Sequence, residues 1–189
     1  MFPETLRFHI AEPINIFIDG LIQRYAAAFD LVAGKILFFL LSIHRGLEAV
    51  PWWGYILLVF LLSLYFSRSI LHSLVLASLP FFIGAFGLWS MAIESLAVII
   101  ASVVMALVIG LPLGVLMGEA KSVETVLSPV LDAMQTMPSF VYLIPAMMFF
   151  GLGKVPAVIA TLIYSLPPVI RLTALGLRQV PKTVEEAAL

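Results

Sequence analysis

The sequence contains no cysteine and very little charge. Without cysteine there is no disulfide framework and no thiolate metal site. Charged residues make up 11% of the 189-residue chain, against about a quarter in soluble domains, too few to cover a water-facing surface. Ten basic and eleven acidic residues nearly cancel, so no polyanionic partner is implied, and no basic stripe offers itself to nucleic acid. Catalytic signatures are missing too: no metal-ligand cluster and no nucleophile–base pair stands out. The stretch GLGKV at 151–155 looks like a phosphate loop, but Val155 and Pro156 follow the lysine where Ser or Thr is required. No cofactor, no metal and no enzyme chemistry are expected. The opening MFPETLRFHIAEPIN carries acids early and has no apolar core before Ile14, unlike a signal peptide.

What the chain has is hydrophobicity. Apolar residues make up 62% of it and the mean hydropathy is +1.14. Runs free of Asp, Glu, Lys and Arg cover 49–67, 69–93, 95–118, 133–153 and 155–170, with lengths of 19, 25, 24, 21 and 16 residues. A helix needs roughly 20 apolar residues to cross a bilayer, and neutral residues beyond Arg171 can lengthen the last run. The runs do not alternate as barrel strands would. The fold class expected is therefore all-α: a polytopic membrane helix bundle with about five transmembrane helices.

Residues 14–47 differ. Ile18, Leu21, Ile22, Tyr25, Phe29, Val32, Ile36, Phe39, Leu40, Ile43 and Leu47 recur at helical spacing, interrupted by Asp19, Gln23, Arg24, Asp30 and Lys35. This predicts an amphipathic helix, broken at Gly34 and lying flat in the membrane interface. A sixth span through 36–44 would have only nine residues before the charges resume.

Orientation follows from Lys and Arg in short loops. One side receives Arg68, Lys121, Arg171, Arg178 and Lys182; the other receives Lys154 and the acid Glu94. The basic side is expected to be cytoplasmic, together with the C-terminal end, and five spans then put the N-terminus outside. Arg7, Arg24, Lys35 and Arg45 argue mildly the other way, but they are spread over a long tail with five acids.

Several positions stand out within the spans. Ala106, Gly110, Gly114 and Gly118 form a stripe of small residues, suited to close helix packing within one bundle or to dimerisation. Pro112 within it is expected to bend the helix. The fourth span carries polar Gln135, Thr136, Ser139 and Tyr142 beside Pro138 and Pro145. Broken helices and polar side chains at membrane depth are tolerated where they face protein or a water-filled path. The fifth span repeats the theme at Ser165, Pro167 and Pro168, with Arg171 placed to snorkel. Asp132 and Glu94 read as caps or as partners of a base. An aromatic belt accounts for Trp52, Trp53, Tyr55 and Trp89; a cation–π cage is the alternative.

The last ten residues, VPKTVEEAAL, open a helix: Thr183 can cap and Glu186 completes a capping box. Together with LDAMQTMPSFVYL (131–143), LPPVIRLT (166–173), QVP (179–181) and the earlier LPLGVLMG (111–118), this chain resembles the permease subunit of an ATP-binding-cassette importer. The likeness is to the glycine betaine/proline betaine branch of the binding-protein-dependent permeases. Glu186, Ala187 and Ala188 match the start of that family's EAA motif, and the resemblance implies that they begin the short helix that couples to the ATPase. It implies a tail with an interfacial helix over 1–50, two accessory spans over 51–89, and a permease core over 90–189 cut off inside the coupling helix. Its implied partners are an ABC ATPase subunit, an extracytoplasmic substrate-binding protein, a second permease chain, as a homodimer, and the lipid bilayer. The implied location is a bacterial-type inner membrane. In that reading Gln135, Thr136, Ser139 and Tyr142 line or border the pathway, and Pro138, Pro145, Pro167 and Pro168 shape it. An ion-coupled transporter is the rival, but every acid lies near a span end. A non-transporting scaffold or truncated remnant is the other rival.

Overall fold

The computed structural model describes residues 11–180. Glu186, Ala187 and Ala188, with the predicted cap at Thr183, lie outside that range. Among the described residues there are seven helices and no strand: α1 Ala11–Glu48, α2 Trp52–Ser67, α3 Ile70–Ala85, α4 Trp89–Glu119, α5 Lys121–Thr136, α6 Phe140–Phe150 and α7 Lys154–Arg178. This is the all-α membrane architecture read from the charge-free runs.

α4 and α7 form the axis of the molecule. At 31 and 25 residues they extend about 46 and 37 Å, enough to cross a bilayer of about 30 Å. They run parallel and in one register. Glu94 meets Lys154 at the start, Ser102 donates to the Val158 carbonyl at 3.1 Å, and Gly110, Gly114 and Gly118 face Val169, Thr173 and Leu177. Two parallel neighbours require the segment between them to return across the membrane, and α5 with α6 is that segment.

The sequence-based boundaries need two corrections. The division expected at Glu94 occurs instead at Phe86–Leu88, where Gly87 takes a positive φ of 73° that a side-chain-bearing residue adopts at a cost. Glu94 sits inside α4, paired with Lys154, so its charge marks no boundary. The fourth span, expected over 133–153, is preceded by helix from Lys121 and is broken in two: α5 and α6 meet at an angle of 97°. α7 runs as one helix through Pro167 and Pro168 to Arg178, using the neutral residues beyond Arg171 that could lengthen the last run.

α1 departs furthest from expectation. Its helical geometry fails at Tyr25 (φ −117°, ψ 17°), not at Gly34. Beyond that point it enters the bundle. Ile36 and Leu40 are buried with Ala97, Ala101, Val155 and Val158, and Ile43 and Leu47 pack against the same cluster. Positions 36, 40, 43 and 47 repeat at one helical face, so the apolar stripe faces protein. The stretch Asn15–Glu48 is long and apolar enough to cross a membrane. A span judged by uninterrupted neutrality overlooks it, because Lys35 and Asp30 divide the run.

α2 and α3 make a hairpin through Arg68, which takes a left-handed φ of 53°. Each has 16 residues, about 24 Å. No residue of α2 is buried, and α3 buries only Ser73 and Ala77. Their surfaces are leucine and phenylalanine, suited to lipid.

Candidate functional site

The break between α5 and α6 has a local cause. A proline excludes helical geometry from the residue before it, and Met137, preceding Pro138, is extended at φ −84°, ψ 134°. Helical geometry resumes at Ser139. The last carbonyls of a helix lack intrahelical donors. Here the Tyr142 hydroxyl reaches back across the bend and donates to the Met134 carbonyl at 3.0 Å, with the Ala133 carbonyl at 3.4 Å. Thr136 also donates to Ala133, at 3.1 Å. Tyr142 and Thr136 thus finish α5 and hold the bend.

The four polar positions picked from the sequence separate accordingly. Ser139 lines a groove of about 310 Å³ with Phe140, Leu143, Ala157, Ala160, Thr161 and Tyr164. Gln135 is exposed at the end of α5 and is not part of that lining. Thr161 and Tyr164, on the α7 wall, were not singled out from the sequence. Their signal was available: Ala157, Ala160, Thr161 and Tyr164 recur at three- and four-residue spacing and share one helix face. Pro145 lies exposed within α6, while Pro167 is fully buried in α7. Each proline in α7 removes an N–H that would have served the carbonyl four residues back.

The small-residue stripe is occupied from within the chain. Ala106, Gly110 and Gly114 are buried, and α7 covers them. A Cβ at Gly114 would come within 2.8 Å of the Ile170 carbonyl oxygen, and one at Gly110 within 2.7 Å of Val169 Cγ1. The stripe lets the two long helices approach, and it leaves no room there for a second chain.

At the far end of these helices, two arginines of α7 fasten α5. Arg178 forms a bidentate pair with Glu124 at 2.7 and 2.8 Å. It also donates to the carbonyls of Met117 at 2.8 Å and Gly118 at 3.3 Å, the free carbonyl end of α4, where a cation is favourable. Two turns earlier, Arg171 pairs with Asp132 and reaches the Ser128 carbonyl at 3.4 Å. Its Nε is buried with no partner among the described residues. Leu131 is buried between these contacts with Met117, Ile170 and Ala174. Arg171 was expected to snorkel; instead it is anchored to the helix that leads into the bend.

The sequence matches the family model described as "Binding-protein-dependent transport system inner membrane component" over residues 110–189. That range holds the last third of α4, the broken α5–α6 pair and α7. The glycine betaine transport system permease protein OpuAB of Bacillus subtilis is 35% identical over 182 residues, 96% of this chain and 64% of the relative. The glycine betaine/carnitine transport permease protein GbuB of Listeria monocytogenes is 36% identical over 196 residues, 98% of this chain and 67% of the relative. The glycine betaine/proline betaine transport system permease protein ProW of Escherichia coli is 49% identical over 106 residues, 56% of this chain and 30% of the relative. The chain thus spans between about a third and two thirds of these relatives' lengths. It is an integral membrane protein, and it belongs to the permease family of binding-protein-dependent transport systems.

Proposed function

We propose that the chain is the membrane-embedded permease of an ATP-driven importer for glycine betaine or a related quaternary-amine osmoprotectant. The observation that carries this reading is the broken α5–α6 pair clamped to α7, inside the matched region of a chain similar to three permeases named for glycine betaine. Broken helices beside a polar-lined groove are a means of opening a path through a bundle. The Ser139–Tyr164 groove is that path. The permease performs no chemistry. A separate ATPase drives it, docking at the segment holding Glu186, Ala187 and Ala188. An extracytoplasmic binding protein delivers solute to the opposite end, and a second copy of the permease completes the pathway. Transport is a switch between two bundle arrangements, each favoured by different contacts with ATPase and binding protein.

The Arg171–Arg178 end is cytoplasmic and the Glu94–Lys154 end faces outward. The outer N-terminus expected from the charge pattern supposed that α1 stays in the interface. Its apolar length and its packing along α4 and α7 support a crossing instead. We therefore place the residues before Asn15 on the cytoplasmic side, where Arg7 agrees with the positive-inside rule.

The test is uptake of labelled glycine betaine into vesicles holding the complete permease with its ATPase. Uptake is expected to require ATP and the binding protein together. Uptake driven by a sodium or proton gradient without ATP would sink this reading in favour of an ion-coupled transporter.

A further inference from the structure

A second cavity lies at the outward end, away from the Ser139–Tyr164 groove. Its volume is about 470 Å³, within the range of small-molecule sites, about 300–1,000 Å³. Four helices build it: Glu48 ends α1, Trp52 begins α2, Phe81 comes from α3 and Trp89 begins α4. Pro51 and Pro80 complete its apolar walls, and neither Lys nor Arg lines it among the described residues. Among the described residues Glu48 is the one ionisable group in the lining; its carboxylate lies 3.4 Å from His44 Nδ1.

An interfacial belt explains tryptophans at span ends. It does not require three aromatic rings from three helices to line one cavity beside a carboxylate. Trp89 is also held in place: its ring meets Tyr55 edge-on at 5.4 Å, and the Tyr55 hydroxyl is tethered to the Leu47 carbonyl at 2.7 Å.

The chemistry of the walls selects the ligand. Aromatic faces carry negative potential and attract cations. Calcium or magnesium needs six or more oxygen ligands, and zinc needs about four His, Cys or carboxylate ligands; among the described residues these walls offer one carboxylate. A primary ammonium needs acceptors for three protons, and the lining supplies one carboxylate. A quaternary ammonium donates no hydrogen bond, presents methyl groups to the rings, and gains from the nearby carboxylate.

We infer that the cavity lined by Glu48, Trp52, Phe81 and Trp89 is a binding site for a quaternary ammonium group. It recognises the cationic end alone; a carboxylate on the same molecule would point out to water. Binding here needs neither ATP nor the ATPase, so the inference stands apart from the transport reading.

Two of the three tryptophans of the chain line the cavity, so intrinsic fluorescence reports on it. The complete permease chain would be placed in nanodiscs of phosphatidylglycerol and titrated with choline, with tetramethylammonium, and with the neutral isostere of choline that has carbon in place of nitrogen. Saturable binding of both cations is expected, with the neutral isostere weaker by about tenfold. Glu48→Gln and Trp52→Leu should each weaken choline by about tenfold, while Trp53→Leu, outside the lining, should leave it unchanged. Equal affinity for choline and its isostere would overturn the inference, as would choline binding untouched by both Glu48→Gln and Trp52→Leu. Repeating the titration with phosphatidylcholine in the disc separates two sources of the same chemistry. Competition assigns the site to a lipid head group, and unaltered choline affinity assigns it to a soluble cation.

Discussion

A side chain added at Gly114 would meet backbone. Its Cβ would lie 2.8 Å from the Ile170 carbonyl oxygen, and α4 could accept it only by moving away from α7. Overpacking of this kind costs about 1–3 kcal/mol. At Gly118 the nearest atom, also at 2.8 Å, is the Leu177 Cδ2 methyl, the tip of a side chain able to rotate. Gly114→Ala should therefore lower the melting temperature in detergent clearly more than Gly118→Ala. Equal effects would mean that α4 and α7 do not meet at this register. The sequence showed the small-residue stripe but left its partner open, because periodicity describes one helix and says nothing of what lies against it. The same limit applied to Arg171 and Asp132. Each was recognised as a charge near a span end, yet their pairing across 39 residues of chain depends on the bend between α5 and α6.

That bend makes Pro138 the position with most leverage among the helices. With Pro138→Ala, Met137 is released from its extended geometry and the steric bar to continuing α5 into α6 disappears. Tyr142 would still reach back to Met134, a hydrogen bond whose net contribution is about 1 kcal/mol. The double variant Pro138→Ala, Tyr142→Phe should therefore straighten the junction more than either single change. Spin labels at exposed Val130 and Ile144 would report this as a longer separation. An unchanged distance in the double variant would show that the arginine clamps alone set the angle. The proline and a break in the helix were legible in the sequence, and the angle of the bend was not. Pro167 and Pro168 carry the same local signal, yet α7 runs through them as one helix, buried against α4 and held by its register along the glycine stripe. Tertiary packing decided which prolines break a helix. Charge misled in a similar way at Glu94, whose partner Lys154 lies 2.7 Å away but 60 positions along the chain.

At the scale of the whole molecule, the shared direction of α4 and α7 followed from the alternation of charge-free runs, whereas their pairing came only with the contacts of Gly110 and Gly114 on Val169 and Thr173. The packing of α1 into the bundle was not legible, because Asp30 and Lys35 interrupt an apolar stripe whose contacts with Ala97 and Val158 exist only once the bundle has formed. Both features are open to one set of labelling experiments in the cysteine-free background that the sequence already provides. Paired cysteines at Glu94 and Lys154 should crosslink, as should a pair at Glu124 and Arg178, while a mixed pair at Glu94 and Arg178 should not. A membrane-impermeant thiol reagent added outside should block the first pair and spare the second. A single cysteine at Asp19 then reads the direction of α1. Protection from the outer reagent, with labelling once the membrane is opened, is expected if α1 crosses and delivers the N-terminal segment to the cytoplasmic side. Labelling from outside in intact cells would return α1 to the outer interface and restore an external N-terminus, leaving its packing on α4 as that of a surface strap.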